Sequence, residues 1–179
     1  MVTDTTFLGV TFCKGKHLTC CLKEIKNRFY LNVNTIIGRL GCNSEGLILK
    51  LINTQGLQSL IFGTMALSLS DSDLKCLNFA YNSVFVKLFK IQGLENIRQC
   101  QYYSGCLPFS FVYDLRRYNF LKSIMARKIK ILIPGIKLDE SDYRDYCKLQ
   151  TKYSLGCNDS PGLIKYKVWK FFTDSVFVY

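Results

Sequence analysis

The sequence has little of what metal, cofactor or acid–base chemistry requires. It contains one histidine, His17, and its nine cysteines form no CxxC pair, although zinc sites usually take paired ligands at short spacing. No Asp-Asp pair occurs. The acidic groups at 71–73 and 139–142 lie at predicted helix starts, where carboxylates cap free N–H groups. No glycine-rich phosphate loop is present. The sequence therefore predicts no metal, no cofactor and no catalytic residue.

We also expect no secretory signal, because the N-terminus is polar and has no basic stretch followed by an apolar one. The odd number and irregular spacing of the cysteines are typical of a reduced intracellular protein, cytoplasmic or nuclear. Residues 51–70 carry no charge and are long enough to span a bilayer. The amides of Asn53, Gln55 and Gln58 favour a buried helix instead. We expect no membrane partner, and a membrane protein using residues 51–70 is kept as an alternative.

Positive charge is what the sequence has in excess. Lysine and arginine number 24 against 13 acidic residues, and the formal net charge of +11 favours polyanionic partners such as nucleic acid. The excess is concentrated at residues 1–40, with six bases against two acids, and at residues 100–138, with seven against one. A nucleic-acid partner is therefore expected to contact these two stretches.

The hydrophobic pattern predicts a mainly α fold, a helical bundle preceded by one short β-strand or hairpin. Residues 6–12 are rich in β-branched and aromatic types, which predicts the strand. Between Leu18 and Leu40 apolar residues recur every three or four positions, which places them on one face of a helix. Ser70 and Asp73 have the spacing of a capping box, which predicts another helix start. Further helices are predicted at 45–65, 94–103, 108–127 and 139–153.

Four segments follow from this pattern. Residues 1–17 are predicted to form a terminal strand and turn, residues 18–127 the helical bundle, and residues 128–153 a helical extension. Residues 154–179 combine a loop-like composition with an aromatic run that has little pattern, and an irregular tail is expected there.

Aromatic and basic residues are interleaved through residues 102–130. Cations neutralise phosphates and exposed aromatic rings stack on bases, so this composition is typical of nucleic-acid binding. A helix with a basic, solvated face explains the same pattern, and it also explains the basic side of the helix at 18–40. Both interpretations stay open at this point. The predicted phosphate contacts are Lys23, Lys26, Arg28, Arg116, Arg117, Lys122, Arg127, Lys128 and Lys130.

Several motifs, in this order along the chain, resemble the end of the palm and the thumb of reverse transcriptases from LINE-type, non-LTR retrotransposons. Phe-Leu-Gly-Val at 7–10 is similar to the strand after the catalytic palm core, and the helix at 18–40 to the start of the thumb. Leu-Ile-Phe-Gly at 60–63 is similar to the apolar, aromatic and glycine signature of the next thumb helix. Ser-Asp-Leu-Lys-Cys-Leu at 72–77 resembles a later helix. The resemblance covers roughly residues 6–127.

The resemblance implies a thumb-like role, in which the chain packs against a palm and holds RNA or an RNA–DNA duplex by weak electrostatic contacts. Residues 100–122 resemble the region after the thumb in some elements. The family is an RNA-directed DNA polymerase, but its adjacent catalytic aspartates and its cysteine–histidine knuckle have no match here. We therefore expect a non-catalytic fragment of a reverse transcriptase and not an enzyme. The expected protein partners are the palm and fingers, or another protein at an exposed apolar face.

A lone strand cannot satisfy its own backbone hydrogen bonds, which implies that the rest of its sheet is missing. Residues 5–12 are therefore expected to be poorly ordered or unusually exposed, and a middle position in a complete sheet would count against the fragment interpretation.

The alternative to nucleic-acid binding is a structural or protein-interaction role, with an exposed apolar patch. Convergence of the basic side chains on one face distinguishes the two.

Overall fold

The fold is mainly α, as predicted, with short strands at its beginning. The computed structural model describes residues 4–7, 10–14, 18–41, 44–62, 64–65, 67–130 and 140–177. The chain divides into two compact units, Met1–Ser110 and Phe111–Tyr179. This division falls inside the segment 18–127, which the periodicity alone assigned to a single bundle.

The first unit begins with a three-stranded antiparallel sheet. Its strands are β1 (Asp4–Phe7), β2 (Val10–Lys14) and β3 (Leu18–Cys20), and they are arranged in the order β1-β2-β3. In the β1–β2 pair Thr5 lies opposite Phe12. The sheet is therefore a meander in which each strand pairs with its neighbour in the sequence.

The prediction of a lone strand without partners is wrong. The segment 6–12 contributes to two strands, and β2 is the middle strand of the sheet, so it pairs on both sides within this chain. Thr6 is exposed and Thr11 is half-buried, and the other side chains between residues 5 and 12 lie outside the described part of the structure. The pairing removes the argument that a strand here implies a missing sheet, and the middle position of β2 counts against the fragment interpretation.

The helix α1 (Leu22–Leu40) has the apolar face that its periodicity predicts. It begins later than predicted because Leu18 pairs in β3, and the N–H of Cys21 still donates to the carbonyl of Thr11 at 2.8 Å. Gly41 follows the helix with a φ of +67°, in the left-handed region that favours glycine. The buried residues of α1 are Ile25, Phe29 and Val33.

A π-helical turn separates the next two helices. It comprises Ile52–Gly56 and connects α2 (Glu45–Leu51) to α3 (Leu57–Ile61). A methyl group added at Gly56 would lie 3.7 Å from Cε2 of Phe29, so the absence of a side chain allows the turn to lie close to α1.

The uncharged stretch 51–70 is broken into short elements. It contains the end of α2, the π-helical turn and α3, and the chain turns after Phe62. In the part of the chain that the structure describes, no helix combines the length and the apolar character needed to cross a bilayer.

The helix α4 (Asp71–Phe89) begins at the predicted capping box. The N–H of Asp73 donates to Oγ of Ser70 at 3.2 Å, and the N–H of Ser70 donates to the Asp73 carboxylate at 3.3 Å. One face of α4 supplies much of the core of the first unit, and α5 (Leu94–Tyr103) follows it. The buried residues of α4 are Leu77, Ala80, Tyr81, Val84, Phe85 and Leu88.

The described part of the second unit consists of three helices. The helix α6 (Phe109–Lys130) begins at the last two residues of the first unit, and α7 (Glu140–Tyr153) and α8 (Pro161–Val176) follow. The rings of Tyr118 on α6 and Tyr146 on α7 stack with centroids 5.2 Å apart and an interplanar angle of 4°. This stacking connects α6 to α7 within the core of the unit.

The irregular tail predicted at 154–179 is wrong for the residues of α8. Oγ of Ser160 accepts a hydrogen bond from the N–H of Leu163 at 3.3 Å, and Pro161 occupies the first turn, where its missing N–H is harmless. The helical pattern is hard to recognise in the sequence because exposed aromatic residues, such as Tyr166 and Phe171, accompany the buried ones. The buried stripe is Ile164, Val168 and Phe172, at intervals of four.

Candidate nucleic-acid interface

Two lysines on α1 and α4 each reach across to the other helix. Nζ of Lys26 donates to Sγ of Cys76 at 3.1 Å, and Nζ of Lys87 donates to Oδ1 of Asn34 at 2.8 Å. Lys26 precedes Asn34 on α1, and their partners Cys76 and Lys87 follow in the same order on α4. The two helices therefore run in the same direction. The two contacts place Lys26 beside α4 and Lys87 beside α1, at different levels along the helix pair.

The exposed side of this helix pair presents four lysines and one aromatic ring. On α1, Lys23 and Lys26 lie about 60° apart around the helix axis. On α4, Phe79 lies about 40° from Lys75 and Lys87 about 80° further around the helix axis, so the three span about 120°. The ring of Phe79 is 74% exposed. We call these five residues the α1–α4 lysine surface.

The charges on this surface are not neutralised by ion pairs with described carboxylates. Lys26 contacts a cysteine sulfur and Lys87 an amide oxygen, and neither partner is a carboxylate. The hydrogen bond to Cys76 raises the pKa of Lys26 above its ordinary value, so the ammonium stays charged at neutral pH. Glu24 lies about 160° from Lys26 around α1. Lys26 and Lys87 are therefore available to an external anion, whereas Asp71, exposed one turn before Lys75 on α4, opposes part of the positive charge.

The three cations predicted on α1 do not share one face. Lys23 and Lys26 both belong to the α1–α4 lysine surface. Arg28 is exposed but lies about 160° from Lys26 around the helix axis, so one ligand on that surface would not reach it. Two of these three predicted contacts are thus placed together.

Arg117 is a correction to the predicted phosphate contacts. Its side chain is 2% exposed, and its Nη2 donates to Oδ1 of Asp142 at 2.6 Å and to Oδ2 of Asp145 at 3.3 Å. The guanidinium is thus enclosed between α6 and α7 and neutralised by carboxylates of the same chain, so the prediction of a phosphate contact is wrong here. Arg116, the residue before Arg117 on α6, points about 100° away from it around the helix axis and is exposed.

The remaining predicted contacts also fall in the second unit. Nζ of Lys122 donates to the backbone carbonyl of Asp159 at 2.9 Å, which holds the loop between α7 and α8. The backbone of α6 extends to Lys130. The side chains of Arg127, Lys128 and Lys130 lie outside the described part of the structure.

The carboxylate of Asp159 organises that loop. Its Oδ2 accepts from Nζ of Lys167 at 2.7 Å and from the N–H of Gly156 at 2.8 Å. The Lys167 ammonium, with the Gly156 N–H, lowers the pKa of Asp159 below its ordinary value. A group with a lowered pKa in the folded state stabilises the fold above its unfolded pKa, near 3.9, and loses this effect as the pH falls through the folded pKa.

Replacing Asp159 by asparagine is therefore expected to reduce the loss of stability that the protein shows below about pH 4, and to lower its stability at pH 7. The measurement is urea denaturation at both pH values, followed by the fluorescence of Trp169, the single tryptophan, which lies on α8. Asp174→Asn is the matched control, because Asp174 is an exposed aspartate on α8, the helix that carries Trp169. Equal acid sensitivity of the Asp159 and Asp174 variants would contradict the role of this carboxylate.

The stripe on α4 was not predicted as part of the site. Lys75, Phe79 and Lys87 belong to the stretch 41–99, which has five bases against four acids and so no conspicuous excess of charge. A signal was nevertheless present, because Lys75, Phe79, Ser83 and Lys87 recur at intervals of four. Charge counted by helix face would have found it, whereas charge counted along the chain did not.

A cavity of about 460 Å³ lies beside the π-helical turn in the first unit, and Lys50, Asn53 and Phe89 contribute to its lining. The amide of Asn53 accepts from the hydroxyl of Tyr81 at 2.6 Å and donates to Sγ of Cys106 at 3.0 Å. Burial raises the pKa of both Tyr81 and Cys106, so both stay protonated near neutral pH. A protonated thiol is a poor nucleophile, so the thiol of Cys106 is not an activated nucleophile.

Within the described ranges, no group of three or more His, Cys, Asp or Glu residues is suited to hold a metal ion.

The motifs that resemble a reverse transcriptase lie on several elements of the first unit. The strands β1 and β2 include Phe7 and Val10, and the residues between them are outside the described part. Leu60 and Ile61 end α3 and Phe62 follows it, and residues 72–77 lie in the first turns of α4. No protein-family model matches this chain, and neither a curated protein nor a solved structure matches it.

Proposed function

We propose that this chain is a thumb-like region of a LINE-type reverse transcriptase and binds the backbone of RNA or of an RNA–DNA duplex weakly, through the α1–α4 lysine surface. The motifs at 7–10, 60–63 and 72–77 support the family. The mainly helical fold of the first unit and the net charge of +11 agree with a nucleic-acid clamp.

The observation that carries the proposal is the convergence of lysines from two helices on one surface. Lys23 and Lys26 come from α1, and Lys75 and Lys87 from α4. The hydrogen-bond partners of Lys26 and Lys87 are not carboxylates, so each keeps its positive charge available to a phosphate. Convergence of this kind favours binding over a merely solvated basic face.

We propose no polymerase activity for the chain by itself. Two-metal phosphoryl transfer needs carboxylates that converge on two cations, and the sequence contains no Asp-Asp pair. In the second unit, Asp114 accepts hydrogen bonds from Lys152 and Tyr153, and Asp142 accepts one from Arg117. These carboxylates support the fold and are already neutralised by neighbouring groups.

The test is a titration of an RNA–DNA duplex at salt concentrations from about 50 to about 200 mM. If the four lysines each contact a phosphate, the slope of log K against log salt is expected to be about −3, because each contact releases counterions. Fluorescence anisotropy of a labelled duplex measures it. A flat response, or no binding at the lowest salt concentration, would overturn the proposal.

The alternative is a protein-interaction role, in which the palm and fingers or another protein cover an exposed apolar face. The observation in its favour is on α8, where Leu163 is 42%, Tyr166 is 60% and Phe177, just after the helix, is 43% exposed. Such side chains form contacts in many interfaces, but individually exposed apolar residues are also common. The same titration distinguishes the two candidates, since a flat salt response favours the alternative.

A further inference from the structure

The exposed ring of Phe79 lies between cations. It is 74% exposed, and folding therefore leaves most of this apolar side chain in water. Single exposed apolar residues are common and by themselves indicate nothing. Phe79 differs because Lys75 lies one turn before it on α4, and Lys26 reaches α4 at Cys76, about 60° from Phe79 around the helix.

This arrangement has the spacing needed to hold one nucleotide. Side chains four residues apart on a helix have their Cβ atoms about 5–6 Å apart, so a base on Phe79 and its phosphate on Lys75 can be contacted together. Aromatic rings stack on any base, because each base has a π-face, whereas the lysines bind the phosphates irrespective of sequence.

A duplex cannot use the ring in this way. Its bases are paired and stacked on one another, so their faces are covered, and only an unpaired base exposes a face to Phe79. A duplex would therefore gain contacts with the four lysines but little from the ring. The ring adds affinity only for a strand that is at least locally unpaired.

Building on the function proposed above, we propose that the α1–α4 lysine surface prefers single-stranded nucleic acid, with Phe79 as the ring on which an unpaired base stacks. The lysines supply the affinity that is independent of sequence and strand number. Phe79 supplies the difference between single strand and duplex.

The experiment compares a single-stranded RNA with an RNA–DNA duplex of the same sequence, for the full chain and the Phe79→Ala variant. The variant is expected to bind the single strand about tenfold more weakly, while its duplex affinity and its salt slope stay unchanged. Because Phe79 is 74% exposed, its removal leaves no cavity in the core. Tyr103→Ala is the matched control, since Tyr103 is an aromatic residue of similar exposure, 77%, on α5.

A second variant detects the stacking directly. In a Trp169→Phe background, Phe79→Trp introduces a single indole on the surface, which is expected to restore single-strand affinity and to lose fluorescence when the RNA binds. The inference is overturned if Phe79→Ala leaves single-strand affinity unchanged, or lowers single-strand and duplex affinity equally. If neither nucleic acid binds the unmodified chain, the proposed function fails as well, so the two failures are distinguishable.

Discussion

Replacing Asp142 and Asp145 together by asparagine is expected to lower the free energy of unfolding of the second unit by about 3 kcal/mol. Arg117 is 2% exposed, and its guanidinium cannot lose its proton. The double substitution therefore leaves a buried cation without the charges of its two carboxylate partners. The cost stays near the lower end of the usual range, because the asparagine oxygens still accept hydrogen bonds.

Arg117→Met is expected to cost less, although it removes the same ion pairs. The carboxylates of Asp142 and Asp145 are 31% and 29% exposed, so water can hydrate both once the arginine is gone. The methionine also keeps most of the apolar volume of the arginine side chain. The asymmetry between the two variants separates the cost of removing two carboxylate charges from a buried cation from the cost of a lost contact.

Urea denaturation followed by Trp169 fluorescence measures both variants on the second unit. Glu140→Gln with Asp174→Asn is the matched control, because it changes the net charge equally at two exposed positions and includes a carboxylate at the start of α7. Its cost is expected to stay below about 1 kcal/mol. A larger loss for Arg117→Met than for the double asparagine variant would contradict the explanation.

Replacing Lys23, Lys75 and Lys87 together by glutamine is expected to weaken binding of the RNA–DNA duplex by roughly 100-fold at about 0.1 M salt. Each phosphate contact contributes about 0.7–0.9 to the slope of log K against log salt, so three contacts account for a slope of about 2–3. The salt slope of the variant should therefore fall close to −1. The same titration that tests the unmodified chain measures this change.

The control variant replaces Lys148, Lys165 and Lys170, which are exposed on α7 and α8, by glutamine. It lowers the net charge by the same amount but leaves the α1–α4 lysine surface intact. We expect it to bind nearly as well as the unmodified chain, with an unchanged salt slope. Equal losses in both triple variants would mean that binding follows net charge and not this surface.

Much of the first unit could be predicted from local patterns. The periodic apolar residues of α1 and α4 predicted which side of each helix is buried, and Ser70 and Asp73 predicted where α4 begins. These features depend on residues at most a few turns apart, so the sequence contains them explicitly. Local patterns failed to predict the pairing of β2 in the first unit and the helix α8 in the second. In β2 the pairing partners are other segments, and in α8 exposed aromatic residues obscure the buried stripe.

The candidate site was predicted only in part. Lys23 and Lys26 were identified from their position opposite the apolar stripe of α1, but Arg117 was chosen for its charge alone. Its carboxylate partners are 25 and 28 positions further along the chain, and no local pattern indicates that they meet. Lys75 and Lys87 were missed for the corresponding reason, since their neighbours on α1 are distant in sequence.

The sequence by itself determined that the chain is mainly helical and strongly basic, and which face of α1 and of α4 is buried. Local periodicity and composition suffice for this because a helix buries the face that is apolar. Only the tertiary structure decided which cations reach solvent. Packing placed α4 beside α1, where Lys26 and Lys87 each contact the other helix, whereas it enclosed Arg117 between two aspartates of α7. A charge becomes a binding group or a core ion pair according to the neighbours that folding supplies.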